Sequence, residues 1–557
     1  LAVEHERARK VKQHSPILVC LGNPPYDRQQ RDDPEQTLRG GWVRWGDGAI
    51  GRPKNAPLEA FLAPARKAGY GGHLKNLYND YVYFWRWALW KVFENTEADG
   101  EHGGIVCFIT ASSYLRGPGF VGMRQVMRQT FDELWIIDLE GDQYGPRPTE
   151  GVFNIRTGVA IALGIRLGVG NPQTPAHTHY TRITGTRAEK FAALNAIASL
   201  NEVTWHDCPS EWFKPFLPVS DAAYYDWPEL TNLFPWQHSG SQFKRTWPIA
   251  ETKEVLQERW QKFIQAPRQQ KAALFRETRD RSIDRIYRNW KNGERMTPLE
   301  RAAETPVIER YSYRSFDRQW AVADNRVADF PKPVLWRSYS PKQVFLTSLL
   351  TKFLGDGPAA VVTPHIPDLD PFCNRGGKDV IPLWRDSAAT QPNITAGLLE
   401  RLGNIYGQIP RVQDFFAYCY ALLVPRAYVR TFADELLLPS PRVPLTRSLN
   451  LFHRVAALGH KLIQLHTFGE RDLENDTPHG EVEVGHARCI KAISPSPENY
   501  PRDYSYDVSR ETLRVGDGEF APVHSAVWEY SVSGLNVVRS WLNYRKKEPS
   551  GRSSSPL

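Results

Sequence analysis

Pro16-Ile17-Leu18-Val19-Cys20-Leu21-Gly22-Asn23-Pro24-Pro25-Tyr26 is the stretch on which the reading of this chain turns. Residues 16–21 form a short continuous apolar run, the pattern of a buried strand in a parallel sheet. Gly22 and the two prolines stop the strand, because proline has no N–H to give to a ladder. Downstream, residues 27–72 are polar and rich in Gly, Pro and Arg, with a helix expected around Leu58–Lys67. Leu77, Tyr81, Phe84, Trp85, Leu89 and Val92 recur near helical spacing, so Leu74–Asn95 is expected to be a helix. Ile105–Ile109 and Trp135–Leu139 read as strands, with a helix over Gly122–Thr130 between them. Gly158–Ile165 reads as a further strand, and His179–Ile183 as an edge strand. Alternating strands and helices imply an α/β domain with a mostly parallel sheet.

After a helix near Arg187–Leu200 the alternation ceases, and short elements are separated by many Pro and Trp residues. The expected organisation is a first domain over 1–205, a linker over 206–230, a second, mixed α+β domain over 231–545 and a polar tail over 546–557. A chain of 557 residues can hold two or three such cores. Its first residue is Leu1 and its tail stops without a structural signal, which suggests a piece of a longer polypeptide.

Composition narrows the classes. The net charge of +8 favours nucleic acid or another acidic partner, although solvated surface charge explains it as well. The 18 Trp suit large cores or base-stacking surfaces. The 6 cysteines show no CxxC spacing, which argues against a zinc ribbon or a disulfide scaffold and for a reducing, cytoplasmic setting. No signal peptide or membrane-length apolar run is seen.

The turn Asn23-Pro24-Pro25-Tyr26 carries the candidate chemistry. The N6 amino nitrogen of adenine is conjugated into its ring and is a poor nucleophile. The Asn23 side-chain oxygen and the Pro24 backbone carbonyl can each accept one N6–H bond. Two fixed acceptors favour a more tetrahedral nitrogen as a transition state forms. The prolines keep the turn rigid, and Tyr26 can stack on a base that has left the duplex. The bland alternative is a plain strand-ending turn.

With these residues in place, the chain resembles the N6-adenine DNA methyltransferases whose cofactor half precedes the catalytic half. The resemblance continues through Leu74–Phe84, Gly103–Thr110 with Ser113-Tyr114-Leu115, Phe131–Leu139, and Gly151-Val152-Phe153-Asn154-Ile155 with Gly158–Ile161. It implies a Rossmann-like methyltransferase sheet, present here as its catalytic half, and Phe153 as the second wall of a base pocket. Within that group the chain is similar to the single-polypeptide Type ISP restriction-modification enzymes. Leu233–Gly240, Tyr313–Trp320, Gly376–Leu383 and Val532-Ser533-Gly534 carry that likeness. It implies S-adenosylmethionine as methyl donor, double-stranded DNA as partner, and a target-recognition domain after the catalytic half. A nuclease and an ATP-driven translocase would sit upstream.

In this motif order the main cofactor motifs precede the catalytic turn, and only 22 residues precede Asn23, so the donor site is expected to be incomplete. Gly46-Asp47-Gly48-Ala49-Ile50-Gly51 matches GxGxxG but follows no apolar strand, and Phe353–Gly357 follows no clean strand either. For DNA contact, Arg281, Arg285 and Arg288 fall on one face if their segment is helical, and could grip phosphates. Arg314, Arg318, Gln319, Arg375 and Lys378 lie in polar stretches beside aromatics and are candidates for base edges or phosphates. Ordinary salt bridging is the alternative for each. No metal-binding or nuclease constellation is convincing. Two other functions stay open: a non-catalytic DNA-specificity module, and a methyltransferase acting on RNA or protein.

Overall fold

The computed structural model describes residues 17–26, 40–95, 102–142, 149–219, 223–350, 354–372, 379–437, 440–477, 485–494 and 499–546, together with 3, 4, 6, 7, 482 and 496. Arg375, Lys378 and the tail from 547 lie outside them. The chain divides into two compact units, Leu1–Ala222 and Ala223–Leu557.

In the first unit the opening apolar run becomes strand β1 (Val19–Gly22). Strands β2 (Gly104–Ala111), β3 (Glu133–Asp138), β4 (Val159–Arg166), β5 (His177–Arg182) and β6 (His206–Asp207) join it in the order β1-β2-β4-β3-β5-β6. The sheet is mixed, not mostly parallel. β1 runs parallel to β2 and β3 parallel to β5, but β4 opposes both its neighbours. The cause lies between β3 and β4. A parallel neighbour requires a crossover, usually a helix, and residues 139–158 are rich in Gly and Pro without a helical period. β5 is also not the edge, since β6 pairs with it. Nor is β1 buried: Leu18, Val19 and Leu21 are 55%, 52% and 72% exposed. Among the described residues β1 pairs on one side only, with β2.

Helices α1 (Glu59–Lys67), α2 (Asp80–Leu89), α3 (Val121–Thr130) and α4 (Arg187–Asn195) belong to the same unit. The expected helix over 74–95 is three pieces. A 3-10 stretch ends at Leu77, Asn79 is extended, α2 follows, and a π-helical turn covers Trp90–Glu94. Trp85, Val82, Leu89, Val106, Met123, Met127, Leu134 and Ile136 are wholly buried and form its core. Gly122 lets α3 approach α1 closely, because a Cβ there would lie 2.0 Å from the Phe61 carbonyl oxygen. Part of the stretch expected to be linker is packed. Arg128 is buried, donates to the carbonyls of Pro209, Trp212, Lys214 and Pro215, and lies 4.4 Å from the Phe216 ring centroid.

The second unit is mixed α and β, with several small sheets. β7 (Ile249–Ala250), β8 (Ile308–Arg314), β9 (Asp317–Val322) and β12 (Ile366–Pro367) form one, in the order β12-β8-β9-β7. Helices α5 (Lys253–Gln265) and α6 (Arg268–Phe275) bring Trp260, Phe263 and Phe275 into the core of that sheet, where Trp290 stacks on Trp336 at 4.4 Å. These tryptophans are core residues. β10 (Phe345–Thr347), β11 (Val361–Thr363) and β13 (Val380–Pro382) make a second sheet. Beside it pack α7 (Val412–Leu423), apolar nearly all round, and α8 (Leu449–His466). Gly459 permits that approach, since a Cβ there would lie 2.0 Å from the Ala417 carbonyl oxygen. A third sheet, β14 (Arg488–Lys491), β15 (Tyr504–Asp507), β16 (Thr512–Val515) and β17 (Gly518–Ala521), packs against α9 (Val537–Asn543). No helix among the described residues is long and apolar enough to cross a membrane.

Candidate functional site

Asn23 follows the carboxyl end of β1, where ligands gather in open α/β sheets. The parallel register pairs Gly22 with Phe108, so the chain leaves β1 beside Ile109. There the Tyr26 hydroxyl lies 2.6 Å from Asn23 Oδ1 and 3.1 Å from the Ile109 carbonyl oxygen. Having one proton, it donates to one of these acceptors at a time. Burial pushes the Tyr26 phenol up to about 12, so it remains a donor at neutral pH. Asn23 and Pro25 are exposed, Pro24 is buried and Tyr26 is half-buried. The turn is therefore anchored through Pro24 and Tyr26 and open at Asn23. A carboxamide oxygen has two lone pairs. With one turned to Tyr26, the other can accept from a ligand amine.

Phe153 comes to this turn from the β3–β4 connection. Its ring centroid is 6.1 Å from that of Tyr26, the planes inclined at 45°. This is direct contact between two aromatic rings, and a base entering between them would have to part them. The segment bearing Phe153 is held by α4. Lys190, buried, donates to the carbonyls of Leu139 at 2.7 Å and Glu150 at 2.6 Å, and Arg187 Nε donates to Gly151. α4 itself starts with a capping box of Thr186 and Glu189. The roles of Ile109 and Lys190 escape sequence reasoning. The first depends on strand register, and the second on a lysine reaching across a connection. The one local signal there is the Thr-x-x-Glu spacing of Thr186 and Glu189, which marks the start of α4 and not the reach of Lys190.

The arginine candidates scatter. The helix supposed to carry Arg281, Arg285 and Arg288 on one face is not formed. α6 stops at Phe275, and Arg276 adopts a left-handed conformation with φ 54°. Turns follow, with isolated bridges between Thr278 and Arg281 and between Arg288 and Arg295. Arg281 is spent on Asn325, accepting positions being its carbonyl at 2.9 Å and Oδ1 at 3.0 Å, and lies 4.7 Å from the Tyr287 ring centroid. Arg285 and Arg288 are exposed, Arg285 being 5.7 Å from the same centroid and Arg288 donating to the Gly293 carbonyl.

Arg314 is buried, donating to Asp368 Oδ1 at 2.9 Å and to the Tyr313 carbonyl. Arg318 pairs with Glu470 and lies 3.8 Å from the Phe468 ring centroid. Gln319 is wholly buried, and its carboxamide makes no hydrogen bond among the described residues. The chain spacing that put Arg314 and Gln319 beside aromatics was the spacing of a core hairpin. A similar buried pair joins Arg545 to Asp317 at 2.7 Å.

Among the described residues, the GxGxxG stretch that the sequence offers as a nucleotide cradle is not one. The GxGxxG stretch is a closed turn, where a Cβ on Gly46 would lie 2.1 Å from the Lys54 carbonyl oxygen and one on Gly48 2.1 Å from that of Arg52. No space for a nucleoside exists inside it.

The profile of the Type ISP C-terminal specificity domain matches residues 232–557. The chain belongs to that family. No curated protein matches it. Among solved structures, a nuclease-deletion mutant of the Type ISP restriction-modification enzyme LlaGI, in complex with a DNA substrate mimic, is similar at TM-score 0.60 and 18% identity. The likeness covers 100% of this chain and 43% of that one. The ATP-dependent Type ISP enzyme LlaBIII bound to DNA follows at TM-score 0.59 and 17% identity, over 100% of this chain and 36% of that one. The DrdV–DNA complex gives TM-score 0.58 and 19% identity, over 98% of this chain and 54% of that one. At these identities the likeness shows the fold, and this chain spans about half or less of each relative's length.

Proposed function

We propose that this chain is the adenine-holding and target-recognition part of a Type ISP restriction-modification enzyme acting on double-stranded DNA. Unit 1 is the catalytic half of an adenine-N6 methyltransferase, and unit 2 recognises the site. The observation that carries the reading is the open Asn23 carboxamide, oriented by Tyr26 at a strand's carboxyl end with Phe153 alongside. Asn23 Oδ1 and the Pro24 carbonyl accept the two N6 hydrogens of an extruded adenine, while Tyr26 and Phe153 part to take its ring. When bound, S-adenosylmethionine supplies the methyl group. On this reading the donor's own site is incomplete in this chain, and these residues hold only the acceptor base. The one-sided pairing of β1, with apolar side chains exposed, fits a sheet continued by residues other than these.

The test is methyl incorporation into duplex DNA by the complete polypeptide. Asn23→Ala should abolish it and leave binding to the target sequence intact. Unchanged turnover would remove the proposed role. A second reading, a DNA-specificity module without catalysis, is favoured by the family match over 232–557. It requires that the complete polypeptide bind its target yet incorporate no methyl group. Competition among duplex DNA, RNA and peptide separates both from an RNA or protein methyltransferase.

A further inference from the structure

Sheet register gathers a second constellation at the far side of the same sheet. β3 and β5 are parallel, with Glu133 opposite His177 and Trp135 opposite His179. β5 and β6 are antiparallel, with His179 opposite Asp207. Residues two apart in a strand share a face. Glu133, His177, His179 and Asp207 therefore project from one face of three neighbouring strands. They sit where β3 and β5 begin, whereas Asn23 lies where β1 ends, so this corner is remote from the adenine turn.

The atoms are arranged in two tiers. Glu133 Oε2 is 2.7 Å from His179 Nε2 and 3.8 Å from His177 Nδ1. Candidate donor atoms of these three residues all lie within 4.8 Å of one another. The other nitrogen of each ring faces Asp207: His177 Nε2 is 3.1 Å, and His179 Nδ1 3.5 Å, from its Oδ1. Metal-binding imidazoles commonly donate their remote N–H to a carboxylate, which fixes tautomer and ring orientation. One carboxylate here stands on the near side of both rings and another behind both. His179 is further fixed by stacking on Trp135, with ring centroids 3.8 Å apart and planes inclined at 18°. The His177 side chain is 54% exposed and that of Glu133 34%, so the cluster opens to solvent and water can complete a coordination shell.

We infer that Glu133, His177 and His179 bind one divalent transition-metal ion of the zinc class, with Asp207 orienting both imidazoles from behind. Two imidazoles, borderline donors, joined by one carboxylate suit zinc, cobalt(II) or nickel(II) and not the all-oxygen preference of calcium or magnesium. The ion ties β3 to β5 at the margin where β6 contributes only two residues. It is a strand staple, separate from the chemistry of Asn23.

Cobalt(II) titrated into the full chain tests this. One equivalent should produce visible d–d absorption, displaced by one equivalent of zinc, and zinc should raise the melting temperature. His177→Ala and Glu133→Gln alter solvent-facing side chains and should abolish both effects. Asp207→Asn should weaken binding by about 10–100-fold. Absence of stoichiometric binding in the unaltered chain overturns the inference, as does absorption that survives both substitutions. Circular dichroism of each variant verifies that loss of binding is not loss of fold. If either variant is unfolded, His177→Gln replaces it, with the same two readings.

Discussion

Tyr26 does two things at once: its ring lies against Phe153, and its hydroxyl reaches Asn23 and Ile109. Tyr26→Phe keeps the first function and removes the second. A single hydrogen bond contributes about 0.5–1.5 kcal/mol net. On the proposed function, the expected result is therefore a loss of roughly tenfold at most in methylation rate by the complete polypeptide, well short of the loss for Asn23→Ala. Equal losses would show that the hydroxyl does more than orient. Elsewhere, His466 is governed by burial, which lowers it from 6.5 to about 4. The unfolded chain takes up this proton near pH 6.5, while the folded chain resists until about 4. The stability it contributes is thus full above about pH 6.5 and lost as pH falls towards 4, by about 3 kcal/mol at most. His466→Gln should flatten that part of the difference in denaturant midpoint between pH 7 and pH 4. An unchanged slope would mean that the buried ring is not what titrates. Residue identity made Asn23-Pro24-Pro25-Tyr26 legible because a strand stop, an acceptor and a ring are adjacent in the chain. Nothing local disclosed the partners of Tyr26, which are set by how β1 lies on β2.

At the scale of elements, strand positions were readable because apolar runs of four to eight residues are distinctive. Strand directions were not. β4 sits between β2 and β3 because the sequence that precedes it, rich in Gly and Pro, has no helical period for a crossover, and that connection also holds Phe153. α4 fixes its end. Replacing Lys190 by Met leaves the Leu139 and Glu150 carbonyls without their shared donor. Each unsatisfied buried polar group costs about 1–3 kcal/mol. Amide hydrogen exchange should accelerate across 149–155 in Lys190→Met while the α3 amides stay protected. Uniform acceleration over the unit would show global destabilisation instead of a released connection. The expected helix through Arg281 and Arg288 failed for a complementary reason. Its arginine spacing was helical, but Arg276, Thr278 and Gly293 favoured turns, and Arg281 found a better partner in Asn325 than in solvent.

For the whole molecule, a charge of +8 says little until it is known which cations are spent internally. Arg314, Arg326 and Arg545 are buried in ion pairs of unit 2 and cannot be both core struts and phosphate grips. Arg285 and Arg288 remain exposed on the 276–295 segment. If that segment lies against the backbone of bound DNA, each arginine replaces condensed counterions at one phosphate. Removing such a residue reduces the slope of log K against log salt by about 1, and weakens target and non-target duplexes alike. The double change Arg285→Glu and Arg288→Glu should therefore lower affinity for every sequence, lower the slope by about 2, and leave the ratio of specific to non-specific binding intact. A slope equal to that of the unaltered chain would take this segment out of the interface. A collapsed ratio with an unchanged slope would instead make it a reader of bases.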